Sequence, residues 1–182
     1  MDPMVPESIT GSLVELHRVL MSDASEIADA AIASKKELIQ WMPWCHENYS
    51  IDDVRNYIEP RVSDWNNGAE YIFTIRDHGG LVLGTCGLNE VHSERRSANL
   101  GYWIATASTG NGYATEAARL VAQFGIEHLQ LIRVEIVVDI DNVLSQKVAQ
   151  RMGANREGTL VNRLLYRGQP RDAVMYSVTP EC

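Results

Sequence analysis

Cysteine is scarce in this sequence, and the few residues lie far apart. Cys45, Cys86 and Cys182 are odd in number and widely spaced. They form neither a disulfide framework nor the paired spacing of a metal site, so no metal and a reducing, cytoplasmic setting are expected. Long apolar runs are also missing. None approaches the roughly 20 residues of a membrane-spanning helix. The opening Met1-Asp2-Pro3-Met4-Val5-Pro6 lacks the basic and apolar layout of a secretory leader, so no membrane association is expected. Basic charge is in deficit, with 16 Lys and Arg against 24 Asp and Glu and a net charge of −8. That balance argues against nucleic acid as a direct partner. It suits a cationic acceptor, although most acidic proteins are simply soluble and that reading comes first. Repeats, low-complexity tracts and linkers are absent too. The chain of 182 residues is 45% hydrophobic and 22% charged. It is long enough for one sizeable core and short for two, so residues 1–182 are expected to form a single domain.

What remains is a regular pattern of strands and helices. Leu13 to His17 alternates as a first strand. Asp23-x-x-Glu26 and Ser34-x-x-Glu37 each have the form of a capping box opening a short helix, with Pro43 as the stop. Ser50 caps a longer helix carrying Val54, Ile58, Val62 and Trp65 on one side. Pro60 should kink that helix and Gly68 should end it. Tyr71–Arg76 and Leu81–Asn89 are strands around the hairpin signal Asp77-His78-Gly79-Gly80. Ser97–Ile104 is the third strand of this meander. A helix from Thr115 to Leu129 follows, then a β-rich run Arg133–Asp139, a helix Asn142–Met152, and strands near Arg156–Leu164 and Arg171–Val178. This order implies one mixed α/β sheet with helices on both faces.

The most informative segment is Thr109-Gly110-Asn111-Gly112-Tyr113-Ala114, set between a strand and an amphipathic helix. Its helix places Ala114, Ala117, Ala118, Val121, Phe124 and Leu129 on roughly one face. Two glycines in a tight turn let successive backbone N–H groups point outward at the positive end of the helix dipole, a seat for phosphate or pyrophosphate. A Walker A loop needs Lys and Ser or Thr after its last glycine; Tyr113 and Ala114 follow Gly112 instead. A dinucleotide fingerprint needs a further small residue and an early βαβ unit. Thr115 occupies that position, deep in the chain.

The turn resembles the acyl-coenzyme A loop of the GNAT acetyltransferases, written as Gln or Arg, two free positions, Gly, one free position, and Gly or Ala. Thr109, Gly112 and Ala114 take the specified places, with Thr109 departing from Gln or Arg. Leu100-Gly101-Tyr102-Trp103-Ile104 and Gly112-Tyr113-Ala114-Thr115-Glu116-Ala117 are similar to the strand and helix start of the ribosomal-protein N-acetyltransferase branch, the RimJ/RimL type. Asp141-Asn142-Val143-Leu144-Ser145 resembles the Asn-x-x-Ser helix of that branch. Its closing Gly-Phe becomes Gly153-Ala154 here. The resemblance spans about residues 9–178.

The resemblance implies a GNAT-type fold, with a twisted mixed sheet splayed between its two central parallel strands. It also implies transfer of an acetyl group from acetyl-CoA to an amine, such as the N-terminal amine of a ribosomal protein. Acetylation of a small amine and a non-catalytic acyl-CoA-binding module stay open, as does a homodimeric assembly. By that resemblance the pantetheine would pair with the strand near Trp103 and Ile104, with the amide of Asn142 assisting. The pyrophosphate would sit on the amides of Gly110, Asn111, Gly112, Tyr113 and Ala114. Ser145 would serve the leaving thiolate, or simply sit as a polar residue in a helix's first turn. Tyr166 is a substitute for it. Glu90 is the favoured base, acting directly or through water, with Glu70 and His92 as competitors. Trp41-Met42-Pro43-Trp44 would form an aromatic wall beside the acceptor, with Glu70 also on the acceptor side, or else pack helices against the sheet.

Overall fold

The computed structural model describes residues 5–180; residues 1–4 and 181–182, Cys182 among them, lie outside them. Among the described residues, eight strands form one sheet in the order β1-β2-β3-β4-β5-β6-β8-β7. The strands are β1 (Ser8–Thr10), β2 (Glu15–Arg18), β3 (Tyr71–Arg76), β4 (Val82–His92), β5 (Ser97–Ile104), β6 (Arg133–Asp139), β7 (Asn155–Tyr166) and β8 (Gln169–Val178). The helices are α1 (Ala24–Ala33), α2 (Lys35–Leu38), α3 (Ile51–Asn66), α4 (Tyr113–Glu127) and α5 (Val143–Arg151). The expected mixed sheet is therefore present, with the short edge strand β1 as an addition. No helix among the described residues is long and apolar enough to cross a membrane.

Helices cover both faces because β3 and β4 carry apolar side chains on both. Tyr71, Phe73 and Ile75 of β3 turn toward α4, where they pack with Val121 and Phe124. Ile72 points the other way, into a second cluster with Ile27 and Ala28 of α1 and Val54 and Ile58 of α3. Trp65, at the end of α3, meets Tyr71 and Phe73 edge-on at centroid distances of 5.0 and 5.1 Å. Phe124 meets Phe73 edge-on at 5.2 Å. Each such buried ring contributes about 1.5–3 kcal/mol through removal from water alone.

Ser50 heads α3 as expected: its amide and hydroxyl both donate to Asp53 Oδ2, each at 2.8 Å. The helix continues through Pro60 to Asn66. Gly68, at φ +72°, takes the left-handed position just past its end. The hairpin between β3 and β4 forms around Asp77, whose Oδ1 accepts from the amides of Gly79 and Leu81 at 2.9 Å.

Two expected capping boxes do not form. Asp23 makes no cap on α1; it accepts from Thr74 Oγ1 at 3.0 Å and pairs with Arg76 at 3.0 Å. Glu26 pairs with the same guanidinium at 2.8 Å. The Asp23 carboxylate is held by the Leu20 amide and by a cation and a hydroxyl on the neighbouring strand, which leaves it turned away from the amides of its own helix. Ser34 likewise leaves α2 uncapped. Its hydroxyl donates to Ala30 O at 2.7 Å and accepts from Thr106 N at 2.9 Å, while Glu37 accepts from Thr106 Oγ1 at 3.2 Å. Both residues thereby tie the α1–α2 segment to the connection that leaves β5.

Candidate active site

β5 and β6 are parallel neighbours for only a short stretch. Their register runs from Ser97 opposite Arg133 to Asn99 opposite Glu135 and stops there. From Leu100 onward the two strands diverge, so the β6-facing backbone of β5 is left without a strand partner. On its other edge β5 stays paired to β4 as far as Ile104 opposite Gly84. A Cβ at Gly84 would lie 2.0 Å from the Trp103 carbonyl oxygen, so glycine is required where β4 presses against the splayed segment.

The turn beyond β5 has the shape its glycines permit. Gly110 and Gly112 both take φ +85°, and α4 begins at Tyr113. Among the described residues, no protein group accepts a hydrogen bond from the amides of Gly110, Asn111, Gly112, Tyr113 or Ala114. Thr109 braces the turn by donating from Oγ1 to Thr106 O at 2.8 Å, and Asn111 Nδ2 donates to Ser108 O at 3.2 Å. The cradle is backed by Glu116 in the first turn of α4. That carboxylate accepts from the amides of Ser12, Leu13 and Val14 at 3.0, 2.6 and 2.9 Å, and from the Ser12 hydroxyl. Burial works against its charge, but these donors outweigh burial and hold it below the usual carboxylate range. The carboxylate therefore stays ionised, with its hydrogen bonds directed to the 12–14 segment.

α5 completes the site. Asn142 caps it, Oδ1 accepting from Ser145 N at 3.1 Å. Among the described residues the Asn142 side-chain amide donates to no protein group. The Tyr102 hydroxyl of β5 donates to the Ser145 carbonyl at 3.0 Å and lies 3.1 Å from Ser145 Oγ. Burial pushes the Tyr102 phenol well above its ordinary range, with only partial relief from Ser145, so it stays protonated.

Two cavities meet at this pair. The larger, about 470 Å³, runs from Trp103 and Ile104 past the turn to Lys147 and Arg151 of α5. The smaller, about 210 Å³, fills the gap between β5 and β6, with Asn99, Gly101 and Val137 among its walls. Trp41, Met42, Tyr102, Asn142 and Ser145 line both. The β7–β8 hairpin closes the gap's far side, where Tyr166 donates its hydroxyl to Ile39 O. Asp139 on the wall of the gap is held by Arg171 at 2.7 Å.

A sequence profile for the Acetyltransferase (GNAT) domain matches residues 14–155. The chain belongs to the GNAT acetyltransferases. Among similar proteins of this family is YdaF of Bacillus subtilis (strain 168), whose name places it provisionally with the ribosomal N-acetyltransferases. It is 31% identical over 180 residues, covering 96% of this chain and 92% of that protein. The spermidine N(1)-acetyltransferase of Escherichia coli (strain K12) is 30% identical over 132 residues, 72% of this chain and 69% of its own. Among solved structures, Mycobacterium smegmatis RimJ in complex with CoA-disulfide superposes with a TM-score of 0.87 at 27% identity, covering 98% of this chain and 90% of that one.

In this GNAT acetyltransferase Gly110, Gly112, Tyr113 and Ala114 of the turn converge with Trp103, Ile104, Asn142, Ser145 and Trp41 on one continuous space, whereas Asn111 lines neither cavity and folds its side chain back onto Ser108 O. Trp44 lines a different cavity with Trp103. Neither Glu90 nor Glu70 lines the gap or the larger cleft. Glu70 pairs with Arg61 at 3.0 Å; burial raises its carboxyl and Arg61 only partly offsets that. Glu90 stands in a bulge of β4 at φ +50°. His92 closes β4 opposite Ser97, away from the gap. Sequence reasoning missed Tyr102, Lys147 and Arg151. Helical spacing could have placed the two cations together, because Lys147 and Arg151 stand four apart on one face of α5.

Proposed function

We propose that this enzyme transfers the acetyl group of acetyl-coenzyme A to a primary amine, with the N-terminal α-amine of a protein, such as a ribosomal protein, as acceptor. One observation carries the reading: a turn of unpartnered amides and a splayed strand edge open onto a single hydrogen-bonded pair, Tyr102 and Ser145. The residues fit the cosubstrate. The amides of Gly110 to Ala114 take the diphosphate at the α4 dipole, and Lys147 and Arg151 add positive charge to the same cleft. The free edge of β5 and the Asn142 amide take the amide-bearing arm, whose polar groups satisfy backbone that would otherwise stay unpaired.

The chemistry then needs three services from the chain. A β5 amide near Trp103 or Ile104 donates to the carbonyl oxygen as it gains negative charge. The Ser145 hydroxyl donates to the departing sulfur, steered by Tyr102, which remains a donor throughout. The amine proton is assigned to Glu90 through water. Glu90 adjoins Asn89, which accepts from Asn99 Nδ2 at 2.9 Å, and Asn99 lines the gap. A bulge with a non-glycine residue in the left-handed region is the kind of device that re-aims a side chain next to a reacting centre.

The test is thiol release from acetyl-CoA with N-terminal peptides and with spermidine, the substrate in the name of one relative. Faster release with peptides than with the polyamine is expected; the reverse order assigns a small-amine acceptor. Tight coenzyme binding without release for any acceptor would identify a binding module. Glu90→Gln should lower kcat about ten- to a hundredfold at neutral pH, with part of the rate returning at high pH where the free amine is abundant. A variant with no pH-dependent defect removes Glu90 from the mechanism.

A further inference from the structure

On the face of the sheet covered by α1 and α3 lies a separate cavity of about 200 Å³. Its walls are Trp44, Tyr49, Tyr57 and Trp103, with Asp53 and Thr85 between them. The rings are inclined rather than stacked flat. Trp44 meets Tyr49 at 5.2 Å and 48°, and Trp103 at 5.9 Å and 57°. All four rings line the enclosed space, with Ile27 as its aliphatic wall. Trp44 is 37% exposed and forms the mouth, whereas Trp103, at 8%, forms the floor.

The charge in this cavity is negative. Asp53 is held below the usual carboxylate range by the Ser50 hydroxyl and amide, aided by His46 at 3.4 Å. Burial raises the phenols of Tyr49 and Tyr57, so both rings stay neutral. The cluster already binds one cation that does not line the cavity: the Arg61 guanidinium lies 4.6 Å from the Tyr57 ring centroid. That cation is balanced by Asp64 at 2.9 Å and Glu70 at 3.0 Å, so it places no net positive charge against an incoming one.

We infer that this aromatic cavity receives an alkylammonium group carried by the acceptor, at a distance from the amine that reacts. Electron-rich ring faces attract such a cation, and Asp53 supplies its countercharge. The position suits that role. Trp103 lines both this cavity and the larger cleft. Trp44 directly follows Trp41, Met42 and Pro43, which line the gap. The inference rests on the acetyl-transfer reading only for the identity of the carrier, which is a lysine side chain near a peptide N-terminus or the distal nitrogen of a polyamine.

Binding is measured first without coenzyme, by tryptophan fluorescence, using choline and its neutral isostere 3,3-dimethylbutanol. Choline should bind at least tenfold more tightly than the alcohol. Trp44→Leu and Asp53→Asn should each weaken choline about tenfold. Because Asp53 also caps α3, Trp44→Leu with a cooperative thermal transition is the deciding variant. Equal affinity for the two probes, no binding of either, or choline binding untouched by Trp44→Leu would overturn the inference. In a second arm, acetyl transfer is compared for Ser-Lys and Ser-Met peptides, and for putrescine and butylamine. A KM about tenfold lower for the cationic member, lost in Trp44→Leu, names the carrier by the pair in which it occurs. Turnover with equal KM in both pairs sinks the acceptor role while acetyl transfer stands. Choline discrimination without turnover of any acceptor leaves the cation site in place and removes acetyl transfer.

Discussion

Gly112→Asp should cut acetyl-CoA affinity at least tenfold in calorimetry while the protein still unfolds cooperatively. Two effects combine. At φ +85° an L side chain adds strain of roughly 1–2 kcal/mol. A carboxylate at the start of α4 also occupies the electrostatic position on which an anionic diphosphate depends. Crowding is a small part, because a Cβ at this position meets only Leu13 Cδ1 at 3.4 Å, an ordinary contact. Gly112→Ala separates the effects: it shares the strain without the charge, so its loss should be the smaller and insensitive to salt. Unchanged affinity in folded Gly112→Asp would show that the turn does not hold the phosphates.

Ser145→Ala should lower kcat by roughly one to three orders of magnitude with coenzyme affinity little changed, because its hydroxyl is needed most as charge develops on sulfur. The backbone bond from Tyr102 to the Ser145 carbonyl survives this change, so the fold should too. Tyr102→Phe should produce a smaller loss, and the double variant should resemble Ser145→Ala alone, since the phenol acts through the serine. If kcat survives Ser145→Ala, Tyr102 itself or water serves the leaving group. Additive losses would instead make Tyr102 an independent participant.

Much of this was open to sequence reasoning, and the errors have a common cause. The β-rich run Arg133–Asp139 and the apolar face of the Thr115–Leu129 helix depend on each segment alone; the strand forms with those bounds, and the helix forms over Tyr113–Glu127 with Ala117, Ala118, Val121 and Phe124 buried, ending short of Leu129. The caps at Ser50 and Asn142 also formed, because each finds its partner within its own first helical turn: the Ser50 amide and hydroxyl donate to Asp53, and Asn142 Oδ1 accepts from the Ser145 amide. The caps at Asp23 and Ser34 did not, because partners from distant segments, Arg76 and Thr106, offered better bonds. Local motifs hold until a remote group competes for the same lone pair.

The same division runs through the site. Sequence alone determined the strand–turn–helix unit with its pair of left-handed glycines, the Asn142-to-Ser145 helix start, and membership of a mixed α/β sheet. Backbone geometry and hydrogen-bond periodicity act over a few residues, and those features need nothing further. Tertiary structure alone decided that β5 and β6 part after Asn99, that Tyr102 reaches Ser145 across 43 positions of chain, and that Trp44 and Trp103 enclose a cavity. It also decided that Glu90 stands in a bulge outside the cleft walls. Those outcomes depend on how elements pack, and packing is a property of whole surfaces brought together rather than of any one segment.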